Sequence, residues 1–226
     1  YCFMSCYGEF RSSAIWCLVL KLISKRFNLR GGRRTGRWVQ KGKEAMELIF
    51  ETARLILRPW QESDAEDLYK YASNPQVGPI AGWPVHTSVE NSLEIIKDVL
   101  TKPETYAVVL KSDGRAVGSI GLMIGDASNI GLPDDEGEIG YWIGVPFWGQ
   151  GLIPEAVHEL LRYGFEELKL NKIWCGYFDG NEKSKRVQEK CGFTYHHTDE
   201  NIFLPTLNEI RTQHITCLPK EKWQRY

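Results

Sequence analysis

The sequence predicts an α+β domain built on a mixed sheet, and three observations carry that prediction. Alternating apolar runs meet at a tight Ser112-Asp-Gly114 turn, the signal of an antiparallel hairpin. Two strand-then-helix alternations follow, the first pivoting on a loop that contains Gly149 and Gly151. Strand-like runs then return near the end, so the order is strands, alternations, strands.

Taken in order, residues 54–59 make the first strand. Ser63 caps a helix through about residue 73, with Asp64, Glu66 and Asp67 in its first turn. Residues 74–84 hold too much Pro and Gly for a helix and read as a loop whose aromatic and prolines could shape a pocket. Thr87-Ser-Val-Glu90 resembles a capping box opening a helix to about residue 102. Residues 106–111 and 115–124 are the hairpin strands, and 126–136 is an acidic connection. From residue 138, Ile139, Tyr141 and Ile143 alternate with smaller or more polar neighbours, which suits a strand with one apolar face.

The loop after that strand turns sharply because Gly149 and Gly151 lack Cβ atoms. Pro154 suits the opening of a helix, and Val157, Leu160, Leu161, Phe165 and Leu168 repeat at helical spacing beyond it. A glycine loop feeding a helix N-terminus offers clustered N–H donors and the positive end of a dipole, a site for a pyrophosphate. Residues 172–178 form a strand and 181–190 a helix; 193–197 and 209–218 complete an antiparallel edge.

Three stretches are more specific than the pattern. They are Glu138-Ile-Gly-Tyr-Trp-Ile-Gly-Val-Pro-Phe-Trp-Gly-Gln-Gly-Leu-Ile-Pro-Glu-Ala156; Asn181-Glu-Lys-Ser184 with Glu189-Lys-Cys-Gly-Phe193; and Thr52-Ala-Arg-Leu-Ile-Leu-Arg-Pro59 with Asp64-Ala-Glu-Asp-Leu68. Together they resemble the GNAT N-acetyltransferases over roughly residues 46–217, in particular the branch with ribosomal-protein N-terminal (alanine/serine) acetyltransferases. The resemblance implies a mixed, mostly antiparallel sheet flanked by helices. It also implies a splayed strand pair, near 139–145 and 173–178, that holds acetyl-CoA.

From the same resemblance, the N–H groups of Gly149, Gln150, Gly151, Leu152 and Ile153 meet the diphosphate. Backbone groups of Ile143 and Val145 pair with the pantetheine amides, and Asn181 both caps its helix and bonds the pantetheine arm. The chain departs from the family's Gln/Arg-x-x-Gly-x-Gly/Ala pattern with Trp148 in the first position and Ile153 in the last. Because the donors are backbone groups, the site can survive those changes. Glu138 lies on the order of 20 Å up-strand from the loop and is the candidate base, with Glu136 and Asp135 as fallbacks. Many relatives use a Tyr as acid for the departing thiolate; Gln188 stands there, so Ser184 is the alternative donor. Trp83 and His86 are candidate acceptor contacts.

Composition bounds the partners. Residues 1–45 hold ten Lys/Arg against two acids, leaving eighteen against twenty-seven in 46–226. The acidic domain argues against general nucleic-acid binding and is compatible with a cationic amine acceptor. Residues 1–45 are expected to be a basic extension outside the native fold, with Met46 as the natural start and 46–226 as the GNAT domain. The run at 15–23 is too short to span a bilayer and carries Lys21. Six cysteines without paired spacing read as reduced thiols in a cytoplasmic protein, and no metal set emerges. The resemblance, rather than composition, implies the acceptor: a protein N-terminus, such as that of a ribosomal protein, or a small amine such as a polyamine or antibiotic. A CoA-binding regulatory module without catalysis is a separate reading, and the chain acts as a monomer or homodimer.

Overall fold

The computed structural model describes the backbone of residues 36–41 and 45–47 and the whole of residues 48–225. Cys2, Cys6, Cys17 and most of the basic run at 30–37 lie outside the described residues. Among those described, one sheet holds β1 (Gly36–Lys41), β2 (Ala45–Glu51), β3 (Leu55–Arg58), β4 (Thr105–Leu110), β5 (Ala116–Ile124), β6 (Glu136–Ile143), β7 (Lys172–Phe178), β8 (Thr194–Leu204) and β9 (Glu209–Pro219). Their order is β1-β2-β3-β4-β5-β6-β7-β9-β8. Every neighbouring pair is antiparallel except β6 and β7. The mixed, mostly antiparallel sheet expected from the sequence is therefore present. The expected domain boundary at 45/46 falls inside the β1–β2 hairpin.

Five helices accompany the sheet among the described residues: α1 (Ala65–Ala72), α2 (Gly78–Ala81), α3 (Val89–Ile95), α4 (Leu152–Arg162) and α5 (Glu182–Lys190). Both α3 and α4 run on into a π-helical turn, Ile96–Leu100 and Tyr163–Glu167. On α4, Ala156, Val157, Leu160 and Leu161 are buried in one stripe, and each fully buried leucine contributes about 1.5–3 kcal/mol.

Several local details differ from the sequence reading. The strand at 55–58 is preceded by β2, so it is not the first. Ser63 is not a cap: a 3₁₀ turn over Glu62–Asp64 comes first, and Asp64 accepts from the Gln61 N–H at 2.9 Å. The Pro/Gly-rich segment does contain one helical turn, α2, which stops where Gly82 takes a left-handed φ of 91°. The cap of α3 is Ser88 rather than Thr87, its Oγ accepting from the Asn91 N–H at 3.1 Å. Finally, α4 opens at Leu152, two residues before Pro154. That proline still falls among the first four residues, whose N–H groups have no intrahelical partner, so it costs no hydrogen bond there.

Alternation along β6 sorts the layers. Tyr141 reaches α5, where its hydroxyl bonds Ser184. Trp142 points the other way, its ring 5.7 Å from that of Trp83 and 6.5 Å from that of Trp60. With a side-chain period of two, Glu138 and Gly140 share the Trp142 face, and Ile139 shares the Tyr141 face.

Candidate active site

Among the described strands, the one parallel pair is also the pair that parts. β6 and β7 are in register from Glu136↔Lys172 to Glu138↔Trp174 and no further, although β6 continues to Ile143 and β7 to Phe178. β7 meanwhile stays paired with β9 along its whole length. A cleft of about 380 Å³, counting its open mouth, lies along the gap. Ile139, Tyr141, Gly176, Phe178, Asn181 and Ser184 are among the residues that line it.

At one end of β6 the chain makes a 3₁₀ turn, Val145–Phe147, and then the glycine loop. Gly149 and Gly151 have φ of 76° and 73°, with no neighbour close enough to exclude a side chain, so backbone conformation alone demands glycine. Gly151 is the N-cap of α4. The N–H groups of residues 149–153 donate to no acceptor among the described residues, and the first bond of the turn is from Glu155 N–H to the Gly151 carbonyl at 3.2 Å. Five consecutive donors thus face outward at the positive end of a helix dipole.

An acid in that first turn would repel an anion, but Glu155 is neutralised. Burial would raise its pKa; the Thr52 hydroxyl at 2.6 Å and the Arg54 N–H and Nε, both at 2.7 Å, outweigh this and hold it below the usual range. The Arg54 guanidinium also donates to the Gln150 carbonyl at 2.9 Å. On the opposite flank, Lys183 Nζ stacks 4.2 Å over the Trp148 ring. The Trp148 indole N–H donates to the Ile143 carbonyl at 3.0 Å, and its backbone N–H to the Val145 carbonyl at 3.2 Å. Of the backbone groups of Ile143 and Val145 expected to serve pantetheine, both carbonyls thus already accept one bond. The Val145 N–H makes no bond among the described residues.

Across the cleft, the Asn181 side chain caps α5, accepting from the Ser184 N–H at 3.2 Å. Ser184 Oγ lies 3.0 Å from the Tyr141 hydroxyl and 3.2 Å from Gln188 Nε2. Gln188 also donates to the Gly176 carbonyl at 3.1 Å and accepts from Thr216 Oγ1 at 2.8 Å. The amide cannot supply a proton, but it fixes the rotamer of a hydroxyl that can. Burial pushes the Tyr141 phenol well above its ordinary pKa, so it stays protonated; it donates to the Ser184 carbonyl at 3.1 Å and can accept from the Ser184 hydroxyl.

Glu138 sits on the other face, at the last residue before the strands part, and is 1% exposed. Its Oε2 accepts from Asn129 twice, from the backbone N–H at 2.8 Å and from Nδ2 at 3.3 Å. Burial raises its pKa, and the two Asn129 bonds only partly oppose that. The fallback acids are committed elsewhere: Glu136 accepts from Trp174 Nε1 and pairs with Lys172, while Asp135 accepts from Asn171 Nδ2.

With this geometry in view, comparison with known proteins is decisive. The family model described as the acetyltransferase (GNAT) domain matches residues 54–194. The chain belongs to the GNAT family. An uncharacterized N-acetyltransferase, p20 of Bacillus licheniformis, is 32% identical over 133 residues, 57% of this chain and 71% of that protein. Two solved structures share the fold. The ribosomal-protein-S5-alanine acetyltransferase of Vibrio fischeri has a TM-score of 0.58 at 22% identity, covering 78% of this chain and 98% of that one. The microcin C7 self-immunity acetyltransferase MccE, solved with acetyl-CoA and AMP, has a TM-score of 0.59 at 18% identity, covering 74% and 93%. This GNAT enzyme is thus an N-acetyltransferase using acetyl-CoA. No helix among its described residues is long and apolar enough to cross a membrane.

The remaining expected site residues of this acetyltransferase lie deeper. Trp83 and His86 are both buried, their rings 5.4 Å apart. His86 Nδ1 is 2.8 Å from Ser92 Oγ, and burial lowers its pKa to about 4. Neither lines the cleft; from the same loop Ile80 and Ala81 do. Residues the sequence reading did not single out include Arg54, Tyr141, Asn129 and Gln213. Arg54 stood within a quoted motif, yet its partner Glu155 is 101 residues away, and no local pattern links the two.

Proposed function

We propose that the enzyme acetylates the primary amine of a protein N-terminus, such as that of a ribosomal protein, by direct attack on acetyl-CoA. The observation that carries this reading is the placement of Glu138 and Ser184 on opposite faces of one splayed strand pair, with free amides at its far end. The residues fit the co-substrate: the amides of 149–153 and Arg54 suit a diphosphate, and the cleft suits an arm laid between β6 and β7. In the reaction the amine nitrogen bonds the thioester carbonyl carbon, the C–S bond breaks, and CoA leaves as the thiol. Glu138, directly or through water, takes the proton lost by the amine. Ser184 donates a hydrogen bond to the departing sulfur and relays to it a proton drawn from solvent, so its hydroxyl is regenerated, with Tyr141 and Gln188 holding it in place. Trp83 and His86 pack on each other and support the loop that presents Ile80 and Ala81 to the cleft.

The similarity to ribosomal-protein acetyltransferases in fold supports a protein acceptor. The cytoplasm is the proposed compartment, where the buried thiols of Cys175, Cys191 and Cys217 stay reduced. The test is CoA release from acetyl-CoA against peptides with varied N-termini, polyamines and aminoglycosides, with product masses read in parallel. Acetylation at a peptide's N-terminal amine supports the proposal. Acetylation of small amines alone replaces it with a detoxifying or metabolic role, and saturable acetyl-CoA binding without any transfer replaces it with a binding module.

A further inference from the structure

Gln213 of β9 stands between two cavities. On one side it lines the cleft between β6 and β7. On the other it lines a second cavity, about 840 Å³ counting its open mouth, between the β5–β6 connection and β8. Register puts this cavity on the Glu138 face: Glu138 aligns with Trp174 in the parallel ladder, and Phe178, two pleats along β7, aligns with Gln213. Asn129, which holds the Glu138 carboxylate with two N–H groups, is part of the cavity wall. A molecule seated there would therefore lie one side chain from the base and one side chain from the thioester cleft.

The Gln213 carboxamide is the second observation. The residue is 7% exposed, and its side chain makes no hydrogen bond among the described residues. It lies over Gly176, where an added Cβ would collide with Nε2. No buried side-chain nitrogen or oxygen among the described residues lacks a partner, so the Gln213 carboxamide keeps contact with solvent where it lines the cavities and is open to bond a ligand there. We infer that the second cavity receives the acceptor, that Gln213 bonds the acceptor's first peptide group, and that the acceptor carries its amine on a small or apolar N-terminal residue rather than on a polycation. The inference rests on the acetyl-transfer reading above.

The class follows from the wall. Ile130, Leu132, Ile202 and the Trp174 ring supply an apolar surface, and Asp199 is its one carboxylate. That carboxylate lies 3.4 Å from His197 Nε2. Nearby Glu136 is taken by Trp174 Nε1 and Lys172, whose Nζ stacks 4.8 Å over the Trp174 ring. A polyamine or aminoglycoside would bring several ammonium groups to a wall with one available acid. A single N-terminal amine followed by a peptide group matches it better, since the amine goes on to the base and the amide stays with Gln213.

The experiment uses the full chain with acetyl-CoA and three probes: short peptides led by Ala or Leu, spermidine and kanamycin. Ile202→Trp fills the cavity from the edge strand, and Gln213→Leu removes the hydrogen bond at nearly constant size. Both variants should raise the peptide KM about tenfold, and Ile202→Trp, which lies outside the acetyl-CoA cleft, should leave kcat and the acetyl-CoA Kd unchanged. Gln213→Glu, which keeps an acceptor oxygen, should recover part of that loss. Peptides should exceed spermidine and kanamycin by about tenfold or more in kcat/KM. An active enzyme whose peptide KM is the same in both variants overturns this site while leaving the acetyl-transfer reading standing, and so does a preference for spermidine or kanamycin. Failure to acetylate any probe overturns both. Should Ile202→Trp not fold, Gln213→Leu alone decides the matter, and thermal melting of each variant separates the cases.

Discussion

The two faces of the splayed strand pair are built by different means. On the α4/α5 face the functional groups are backbone amides, a capping asparagine and a serine three residues after it, all within two short segments. On the opposite face Glu138 depends on Asn129 from a connection, Trp174 from β7 and, across the second cavity, Gln213 from β9. The first face is a local object that a helix N-terminus makes almost by itself. The second exists only once the sheet has assembled. A face of the first kind suits a co-substrate shared by a whole family, whereas one of the second kind can change its acceptor by side-chain replacement without disturbing the fold.

If the faces are separable in this way, variants should divide between them. The largest effect is expected from Glu138→Gln, which should lower acceptor kcat/KM by roughly 10²–10³. In the wild type, kcat/KM should rise with pH through a pKa above the ordinary carboxylate value, because burial raises that of Glu138; the acid limb should vanish in the variant. Stability should show the matching sign. Glu138 holds its proton more tightly folded than unfolded, so stability falls as pH rises from its unfolded pKa, about 4.3, through the raised folded value. The variant, free of that loss, should gain in melting temperature relative to wild type at pH 8 and much less at pH 4.

Smaller effects belong to the other face. Ser184→Ala should lower kcat about tenfold, since thiolate is already a good leaving group and the Tyr141 hydroxyl remains at the site. Equal kcat in a rapid-mixing assay would leave Ser184 as scaffolding. Arg54→Ala should raise the acetyl-CoA Kd about three- to tenfold. With S-acetylpantetheine, which lacks the diphosphate, it should change nothing; equal weakening of both would mean that Arg54 only braces the loop. Least of all, Gly149→Ala should cost about 1–2 kcal/mol in denaturant unfolding, the strain of a side chain at a left-handed φ.

The same division explains what could be read from the chain. Residues 172–178 form β7 as expected, and Asn181 caps α5 as expected, because alternation and capping act over a few residues. The parting of β6 and β7 also matched the family resemblance. The start of α4 was misplaced because a proline signals a first turn without saying which residue of it, and the left-handed Gly151 took the cap. The pairing of Arg54 with Glu155 and the empty-handed amide of Gln213 were not legible at all. Each depends on segments far apart in sequence, Arg54 and Glu155 being 101 residues apart and Gln213 meeting Gly176 across β7 and β9, and neither residue type is unusual where it stands.

Separability is tested most directly by titrating acetyl-CoA into Glu138→Gln in a calorimeter. The account predicts an affinity within about twofold of wild type, because the co-substrate face is intact while the acceptor face is disabled. An affinity weakened about tenfold or more would contradict it, since the carboxylate would then belong to the co-substrate site and the two faces would be one.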